Sequence, residues 1–497
     1  MCLVDCLRQN SVSSGPLWFT ILGLGLILTL TACGGGGDGG DTPASELGTL
    51  AYVETECRST SEGYFSRQAL RIRQGDREPV TVFETPGVGP LPKIGYQCLT
   101  RTLGHLGDAS ISREAIQAVS VSPDGTSVVF EATDEFSVNP PLPLNLPPEQ
   151  KGIFWVRADG TGLRRLGPPS RTPFFFVQDG FTYLYSPLSF SPNGRAITFI
   201  DKGPDADGHE ADQVVTLDVA TGTRAQVTRL PPAAPPPGWP PDAPTAAHSV
   251  FIDERTISFY SSANPGGLNP DGAFIPMTIK TDGADLEVPL PVPIALPGGT
   301  IEPRFVITGD KPQALLFIVP GEPTNNPPLP GPQDIIEVFV IDQGENILQL
   351  TNFRRIDTSY SLVDVDLEHI YFRVSADPLG TNPSENCQIF SIDRTGADLR
   401  QLTNFGDSEH SNNGCYFWSG ATGCAVQKLF QDRRNRSLVF YSDCDPLGTN
   451  PNGSQVFSMR PDGSGLRQLT DSRGLVFEAG AAIGELPGPW AYGPYQP

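Results

Sequence analysis

Four carboxylates within residues 204–212 have the types and spacing that could bind a cation. They are Asp205, Asp207, Glu210 and Asp212 in the segment PDADGHEAD. Carboxylate oxygens are the ligands that Ca²⁺ prefers, although this spacing differs from the EF-hand loop, whose bidentate Glu stands at the twelfth position. We therefore expect no tightly bound cofactor. A solvated acidic loop is the favoured interpretation, and a calcium site is the alternative.

The histidines form no catalytic or metal-binding motif along the chain. His105, His209, His248, His369 and His410 are too far apart in sequence to belong to one local site. The chain also lacks the Gly-x-Ser-x-Gly nucleophile elbow and the phosphate-binding Gly-Lys-Ser/Thr loop. An enzyme would have to assemble its site from separate segments, with His248, His369 or His410 meeting at the centre of the fold.

A repeated strand pattern runs through the chain after residue 45. Segments 152–166, 388–405 and 455–472 each show alternating apolar residues, a Gly-centred turn and a second short strand, which is typical of a β-hairpin. The turn glycines of the repeat are Gly75, Gly160, Gly222, Gly283, Gly344, Gly396 and Gly463. A strand with an aromatic residue at a fixed place precedes each hairpin, at Tyr52, Phe130, Phe199, Phe259, Phe317, Phe372 and Phe440.

Each repeat unit is predicted to be a four-stranded antiparallel sheet. The turns Ser122–Gly125 and Ser191–Gly194, with the sequences SPDG and SPNG, place one more strand before the aromatic one. The strands of a unit are therefore A, B, C and D in chain order. Such a sheet cannot bury both of its faces alone, whereas several sheets packed face to face around an axis can.

The repeat resembles the TolB-type, WD-like propeller repeats, in which SPDG, an I-x-F strand, a DG turn and LRQLT follow one another. The resemblance covers most of residues 46–497 and is strongest in 115–230 and 385–473. It implies an all-β propeller, and we predict seven four-stranded blades. The first unit, 49–85, lacks an A strand, and the C-terminal segment would supply it and close the ring. Six blades with 46–110 as an appendage is the alternative.

The long insertions all fall on one face of such a propeller. The A–B and C–D turns are short, whereas the B–C and D–A loops carry proline-rich insertions at 136–151, 231–245, 263–272, 320–334, 376–386 and 445–452. We call the side that bears these loops the long-loop face. Stiff loops lose little entropy when a partner docks on them, so this face is the predicted binding surface.

The first residues are predicted to be an export signal. The uncharged apolar segment 17–30 is shorter than the roughly 20 residues that a membrane span needs and suits a signal-peptide core. Leu30-Thr31-Ala32-Cys33 resembles the bacterial lipobox, which implies that Cys33 carries diacylglycerol and labels with palmitate. We therefore predict a signal peptide at 1–32, a Gly-rich tether at 33–45 and a propeller at 46–497. Because Gly34 is not Asp, we expect anchoring to the outer membrane.

Six cysteines remain beyond the signal peptide and Cys33. An even number in an exported chain predicts disulfides, and no Cys-x-x-Cys pair suggests a metal site. All six are expected at the long-loop face. The predicted bridges are Cys57–Cys98, Cys387–Cys415 and Cys424–Cys444.

The charge of the chain limits its partners. There are 34 Lys and Arg against 56 Asp and Glu, a net charge of −22, which disfavours nucleic acid and anionic membrane surfaces. Together these features predict a monomeric, non-enzymatic, lipid-anchored propeller that binds an envelope protein or glycan. The alternative is a hydrolase or lyase of extracellular polysaccharide with its site at the central channel.

Overall fold

The computed structural model separates the chain into Met1–Ala44 and Ser45–Pro497. The predicted signal peptide and the whole predicted tether, which includes Cys33, lie outside the residues that the structure describes. None of the described helices is long and apolar enough to cross a membrane. The described residues are 48–59, 64–86, 88–91, 116–133, 146–172, 175–178, 181–185, 188–234, 245–272, 275–288, 294–296, 299–308, 311–321, 333–341, 347–353, 362–363, 369–374, 376–384, 386–406, 426–432, 437–442, 444–449, 455–471 and 490–492.

The first half of the chain forms four antiparallel sheets and one extra hairpin. Sheet 1 begins with β1 (Thr49–Ser59), β2 (Tyr64–Gln74), β3 (Val80–Glu84) and β4 (Val88–Leu91). Sheet 2 consists of β5 (Ile116–Val121), β6 (Ser127–Ala132), β7 (Gly152–Arg157) and β8 (Arg164–Gly167). The hairpin is β9 (Phe175–Gln178) and β10 (Phe181–Tyr185). Sheet 3 consists of β11 (Ser189–Phe190), β12 (Ala196–Pro204), β13 (Glu210–Asp218) and β14 (Arg224–Gln226), and sheet 4 of β15 (Ala246–Phe251), β16 (Thr256–Ser261) and β17 (Ile275–Lys280).

The second half adds three sheets of the same kind. Sheet 5 consists of β18 (Ile294–Leu296), β19 (Gly299–Thr308), β20 (Lys311–Gly321), β21 (Gln333–Ile341) and β22 (Ile347–Gln349). Sheet 6 consists of β23 (Leu362–Val363), β24 (His369–Val374), β25 (Gln388–Asp393) and β26 (Arg400–Gln401). Sheet 7 consists of β27 (Val426–Asp432), β28 (Ser437–Ser442), β29 (Gln455–Met459) and β30 (Arg467–Gln468), and β31 (Trp490–Tyr492) ends the set. Two short 3₁₀ turns, Pro148–Gln150 and Pro265–Gly267, complete the described elements.

The strand order confirms the predicted all-β propeller. Neighbouring strands pair antiparallel and are consecutive in sequence in every sheet except sheet 1, where β4 pairs with β2. The C-terminal strand β31 joins sheet 1 in the order β3-β2-β1-β31, with Tyr52 opposite Ala491. A strand from the end of the chain thus takes the A position that the first repeat lacks. The number of blades stays a prediction.

Apolar clusters lie between consecutive sheets. They join sheets 1 and 2, 2 and 3, 3 and 4, 5 and 6, 6 and 7, and 7 and 1. The aromatic positions of the repeat supply the largest side chains, and Phe130, Phe199, Phe259, Phe372 and Phe440 are all buried. Burial of each such side chain contributes about 1.5–3 kcal/mol, so the interfaces between sheets hold the ring together.

Aromatic pairs repeat across the B and C strands. Phe440 lies opposite Phe457 with ring centroids 5.6 Å apart and planes at 15°. The pairs Phe130–Phe154 and Phe372–Phe390 have the same register and the same 15° angle. A pair of this kind adds about 0.5–1.5 kcal/mol beyond area burial, which explains why the repeat keeps an aromatic residue at this place.

In three sheets a buried glutamine of the C strand bonds the threonine of the Gln-x-Thr segment that ends the repeat. In sheet 6 the Thr403 hydroxyl accepts the backbone N–H of Ile389 (2.9 Å) and donates to Oε1 of Gln388 (2.8 Å). Oε1 of Gln388 also accepts the backbone N–H of Phe405 (3.0 Å), and its Nε2 donates to the Phe405 carbonyl (3.0 Å). Gln213 with Thr228 and Gln455 with Thr470 make matching bonds. The threonine of the LRQLT signature therefore fixes the chain to the C strand where the D strand ends.

The turn glycines are required by a close approach to the preceding sheet. Gly463 has φ +84°, and a Cβ there would lie 2.8 Å from the carbonyl oxygen of Leu402 in sheet 6. At Gly222 the corresponding distance to Leu166 is 2.6 Å. A side chain would force the two sheets apart, so the Gly turn serves packing as well as hairpin geometry.

Two elements differ from the predicted strand assignment. The extra hairpin β9–β10, which includes Tyr183, precedes sheet 3, and the A strand of that sheet is the two-residue β11. In sheet 4 the D position is marked by one bridge, Thr278 with Glu287. Repeats with weak sequence copies thus keep the order of strands and vary in their length.

Candidate functional site

The long-loop face is described at four of its B–C connections. These are 204–210 in sheet 3, 262–272 in sheet 4, 376–384 with 386–387 in sheet 6, and 444–449 in sheet 7. Insertions 320–334 and 231–245 are described only at their two ends, and insertion 136–151 only at 146–151. The candidate site is therefore built from these four connections and from Pro168–Thr172, which links sheets 2 and 3.

The loop that follows Ala376 is held by buried amide side chains and a half-buried carboxylate. Oδ1 of Asp377 accepts the backbone N–H of Asn382 at 2.7 Å. The Asn382 side chain, 3% exposed, donates through Nδ2 to the carbonyls of Ala376 (3.0 Å) and Asn386 (2.8 Å). These bonds cross the loop from side to side, so its backbone is fixed without help from a partner.

The same arrangement recurs in two other sheets. In sheet 4, Oδ1 of Asn264 accepts the N–H of Asn269 (2.8 Å), whose Nδ2 donates to the Ala263 carbonyl (3.2 Å). In sheet 7, Oδ1 of Asp445 accepts the N–H of Thr449 (2.9 Å). The sequences NPGGLNP (264–270) and DPLGTNP (377–383 and 445–451) carry this loop. A Pro after the first residue and glycines at positive φ suit such a turn.

Each of the three loops presents one exposed leucine. Leu268 and Leu379 are 44% exposed and Leu447 is 42% exposed. Among the described residues, large apolar side chains this exposed are few and entirely aliphatic. An apolar side chain held in water on a rigid loop contributes nothing to the core. It is available for contact with another molecule.

A buried ionic cluster pins Pro168–Thr172 to sheet 3. Oδ1 of Asp201 accepts the backbone N–H groups of Arg171 and Lys202, each at 2.8 Å. Oδ2 of Asp201 contacts Nη1 of Arg224 at 2.7 Å. The Ser170 hydroxyl donates to the Ile200 carbonyl at 2.7 Å, and its N–H donates to Glu131 of sheet 2. The connection therefore covers the part of β12 that extends beyond its two pairings with β11.

The electrostatics of this cluster are those of a structural ion pair. Burial lowers the pKa of the Arg224 guanidinium from its usual value, while the charges of Asp201 and Glu131 raise it. The guanidinium also lies 5.1 Å from the Phe199 ring centroid. A buried arginine with a carboxylate partner and an aromatic face is costly to separate from them. We assign the cluster to the support of the long-loop face.

The acidic segment 204–212 does not gather its four carboxylates around one point. Asp212, 1% exposed, contacts Nζ of Lys202 (2.7 Å) and accepts from Thr172 and Thr245. Glu210 pairs with Nη1 of Arg171 at 2.8 Å. Asp205 and Asp207 instead come together with His209. The sequence-based calcium set thus divides into two structural ion pairs and a smaller loop cluster.

Asp205 organises that smaller cluster. Its Oδ1 accepts the backbone N–H groups of Asp207 and His209, each at 2.8 Å. Burial would raise the pKa of the Asp205 carboxyl, but the hydrogen bonds from His209 and Asp207 hold it below the usual value. The carboxylate is therefore ionised at neutral pH in a tight turn between β12 and β13.

The described histidines lie in different parts of the ring. His248 is in β15 of sheet 4, has φ +56° and lies 6.1 Å from the Tyr260 ring. His369 opens β24 of sheet 6 and lies near Tyr371. Sheets 4 and 6 are not consecutive, and His410 is outside the described residues.

The cysteine pattern is described only in part. Cys387 and Cys444 are buried in the same apolar cluster between sheets 6 and 7, and Cys57 lies in β1 opposite Ser66. Cys98, Cys415 and Cys424 lie outside the described residues. The three disulfide pairs stay a prediction.

Sequence reasoning missed the exposed leucines and the ionic cluster. The signal for the leucines was present, because DPLGTNP occurs twice and has a relative in NPGGLNP. The cluster has no comparable signal. Arg171, Arg224 and Glu131 come from separate strands and connections, and only the packing of sheets 2 and 3 brings them together.

Comparison with known proteins shows similarity in fold and nothing finer. No protein-family model matches the chain, and no curated protein is similar to it. TolB from Acinetobacter baumannii is 13% identical with a TM-score of 0.33, over 86% of this chain and 81% of that one. The β-propeller domain of the Trilobed protease from Pyrococcus furiosus is 9% identical with a TM-score of 0.41, over 85% and 96%.

The chain is also similar to part of a prolyl endopeptidase. The identity is 10% and the TM-score 0.43, over 90% of this chain and 51% of that one. The chain thus spans about half the length of that enzyme. Similarities this distant carry no argument about activity or partner.

Proposed function

We propose that this chain is a non-enzymatic, lipid-anchored scaffold of the bacterial cell envelope whose long-loop face docks a protein partner. The single observation that carries the proposal is the set of three exposed leucines, Leu268, Leu379 and Leu447, on internally bonded loops of three sheets. A partner that buries them pays little ordering entropy, because the loops are already fixed.

The chemistry of the face favours a protein over a glycan. The strongly exposed large apolar side chains of the described residues are aliphatic, and they offer no flat aromatic ring on which a sugar could stack. Asp377 and Asp445 begin two of the loops, and the net charge is −22. A partner with apolar contacts and a basic rim therefore fits this face.

The rest of the proposal concerns location. We propose that the chain is a monomer attached to the outer membrane through Cys33, as the lipobox resemblance implies. The acidic charge repels anionic lipid and nucleic acid, so the lipid anchor is the contact with the membrane. Two or three acyl chains would suffice for stable anchoring. The polysaccharide hydrolase or lyase with its site at the central channel stays the alternative function.

The test is site-specific photo-cross-linking of the full chain in cells. A benzophenone amino acid replaces Leu379, and the matched control replaces Leu163, which is 42% exposed just before β8 on the opposite face. We expect one cross-linked protein from position 379 and none from 163. Equal cross-linking from both positions, or none from 379, would contradict the proposal, and a glycan adduct would replace the protein partner.

Affinity for the captured partner then gives a quantitative check. Burial of one leucine that is 44% exposed contributes about 1 kcal/mol, so three contribute about 3 kcal/mol. The triple variant L268S/L379S/L447S should therefore bind about 100-fold more weakly. The double variant L163S/L348S, which alters exposed leucines elsewhere, should bind as the parent does.

A further inference from the structure

The turn between β12 and β13 brings three potential metal ligands together. Ligand atoms of Asp205, Asp207 and His209 all lie within 4.8 Å of one another. The set combines two carboxylates with an imidazole. It differs from the four carboxylates that the sequence suggested, because Glu210 and Asp212 are engaged by Arg171 and Lys202.

The spacing between Asp205 and His209 matches that of two ligands on one small metal ion. Oδ2 of Asp205 and Nδ1 of His209 are 3.3 Å apart and within hydrogen-bond distance, and a metal ion bound between them would replace this contact. Zinc bonds to nitrogen and oxygen are about 2.0–2.1 Å, so neighbouring ligand atoms of a tetrahedral site lie about 3.3 Å apart. The gap thus fits a shared ion.

The loop holds these ligands in place before any ion arrives. The Asp205 side chain is 5% exposed, and two backbone N–H groups fix its Oδ1. Its Oδ2 is left facing the His209 ring, which is 68% exposed. The Asp207 carboxylate makes no ion pair or hydrogen bond within the described part of the chain. Asp207 and His209 therefore face water, which could supply further ligands to a bound ion.

We propose that Asp205, Asp207 and His209 form a binding site for a divalent transition-metal ion of the zinc class, with water completing the coordination. Imidazole suits zinc, copper, iron and nickel, whereas Ca²⁺ takes six to eight oxygen ligands. The site lies beside the Arg171–Glu210 pair at the long-loop face. It goes beyond docking of a protein and does not depend on that docking.

Zinc binding to the purified full chain, without a histidine tag, tests the proposal. Isothermal titration with Zn²⁺ is done on the parent and on His209→Ala, Asp207→Asn and Glu210→Gln. We expect one zinc per chain, a loss of affinity of at least about tenfold in the first two variants and parent affinity in Glu210→Gln. Equal thermal unfolding of the four proteins shows that each is folded.

X-ray absorption of the zinc-loaded chain gives a second measure. We expect imidazole scattering in the parent and in Glu210→Gln, and none in His209→Ala. Zinc binding that is unchanged in His209→Ala would overturn the proposal. So would loss of binding in Glu210→Gln equal to that in Asp207→Asn. Binding of Ca²⁺ that depends on Asp207 and is indifferent to His209 would replace the zinc site with a calcium site.

Discussion

Replacement of Gln388 by Leu tests whether the buried glutamine at the start of β25 stabilises the end of its own sheet by bonding the Gln-x-Thr segment, Gln401–Thr403. Gln388 is fully buried, and its amide makes three hydrogen bonds with Thr403 and Phe405. Leucine is similar in size and apolar, so Gln388→Leu keeps the packing and removes the bonds. The variant therefore isolates the polar contribution of one side chain.

The expected loss follows from the groups left without a partner. The Phe405 N–H and the Thr403 O–H each lose their acceptor, whereas the Phe405 carbonyl keeps a bond from Nδ2 of Asn386 at 3.3 Å. A buried donor without a partner costs about 1–3 kcal/mol. The Thr403 hydroxyl can rotate to relieve part of its cost. We therefore expect Gln388→Leu to lower the free energy of unfolding by about 3 kcal/mol.

The assay is urea unfolding followed by circular dichroism and by tryptophan fluorescence. The control is Gln401→Leu. Gln401 is half-buried: its Nε2 donates to the Thr403 carbonyl (2.7 Å), and its Oε1 accepts from the exposed Thr381 hydroxyl (2.6 Å). Water can replace these bonds. Gln401→Leu should cost no more than about 1 kcal/mol. Coincident transitions by the two probes justify a single free energy. A change below about 0.5 kcal/mol in Gln388→Leu, or equal losses in the two variants, would refute the reasoning.

Four further predictions concern the turns, pH, the anchor and the bridges. Gly463→Ala should lower the free energy of unfolding by at least about 2 kcal/mol, because the residue has φ +84° and its Cβ would meet the Leu402 carbonyl. The control Gly448→Ala, with φ +65° and open space around its Cβ, should lower it by about 1 kcal/mol in the same urea assay. The pKa of the Asp159 carboxyl is lowered by side-chain and backbone bonds from Thr161, and the pKa of Asp218 is lowered in the same way. Each carboxylate therefore stabilises the fold fully above its unfolded pKa near 3.8, and this stabilisation is lost as the pH falls through the lower folded pKa. The urea concentration at the unfolding midpoint should therefore decrease when the pH is lowered below 4, and it should decrease less in Asp159→Asn. Replacement of Cys33 by Ser should abolish palmitate labelling, and labelling that persists would mean another anchor. Non-reducing peptide mapping should find the bridges Cys57–Cys98, Cys387–Cys415 and Cys424–Cys444, and other partners would reject the predicted pairing.

Local signals were sufficient to predict the fold from the sequence. The aromatic at the B-strand position and the Gly turn recur in nearly every unit. The described aromatics of the repeat are buried, and Gly222 and Gly463 approach the backbone of the preceding sheet closely. Tyr52 and Gly75 marked 49–85 as a unit without an A strand, and β31 occupies that position. Because the same weak strand and turn signals recur along the chain, together they predicted the whole fold.

The candidate site was less accessible to sequence reasoning. Proximity along the chain suggested that Glu210 and Asp212 would share an ion with Asp205. In the structure, Glu210 pairs with Arg171 and Asp212 pairs with Lys202 instead. The extra hairpin β9–β10 was also not predicted, because its short, mostly apolar strands FFVQ and FTYLY resemble those of a blade. Which strands meet depends on the whole ring, and no local pattern contains that information.

A crystal structure of the mature chain would test the central claim most directly. The account predicts a ring of similar antiparallel sheets in which residues 490–492 pair antiparallel with 51–53 and lie between β1 and the axis. It also predicts that the three leucine loops lie on the same face. A ring closed without residues 490–492, or residues 49–85 standing apart from it as an appendage, would contradict the account.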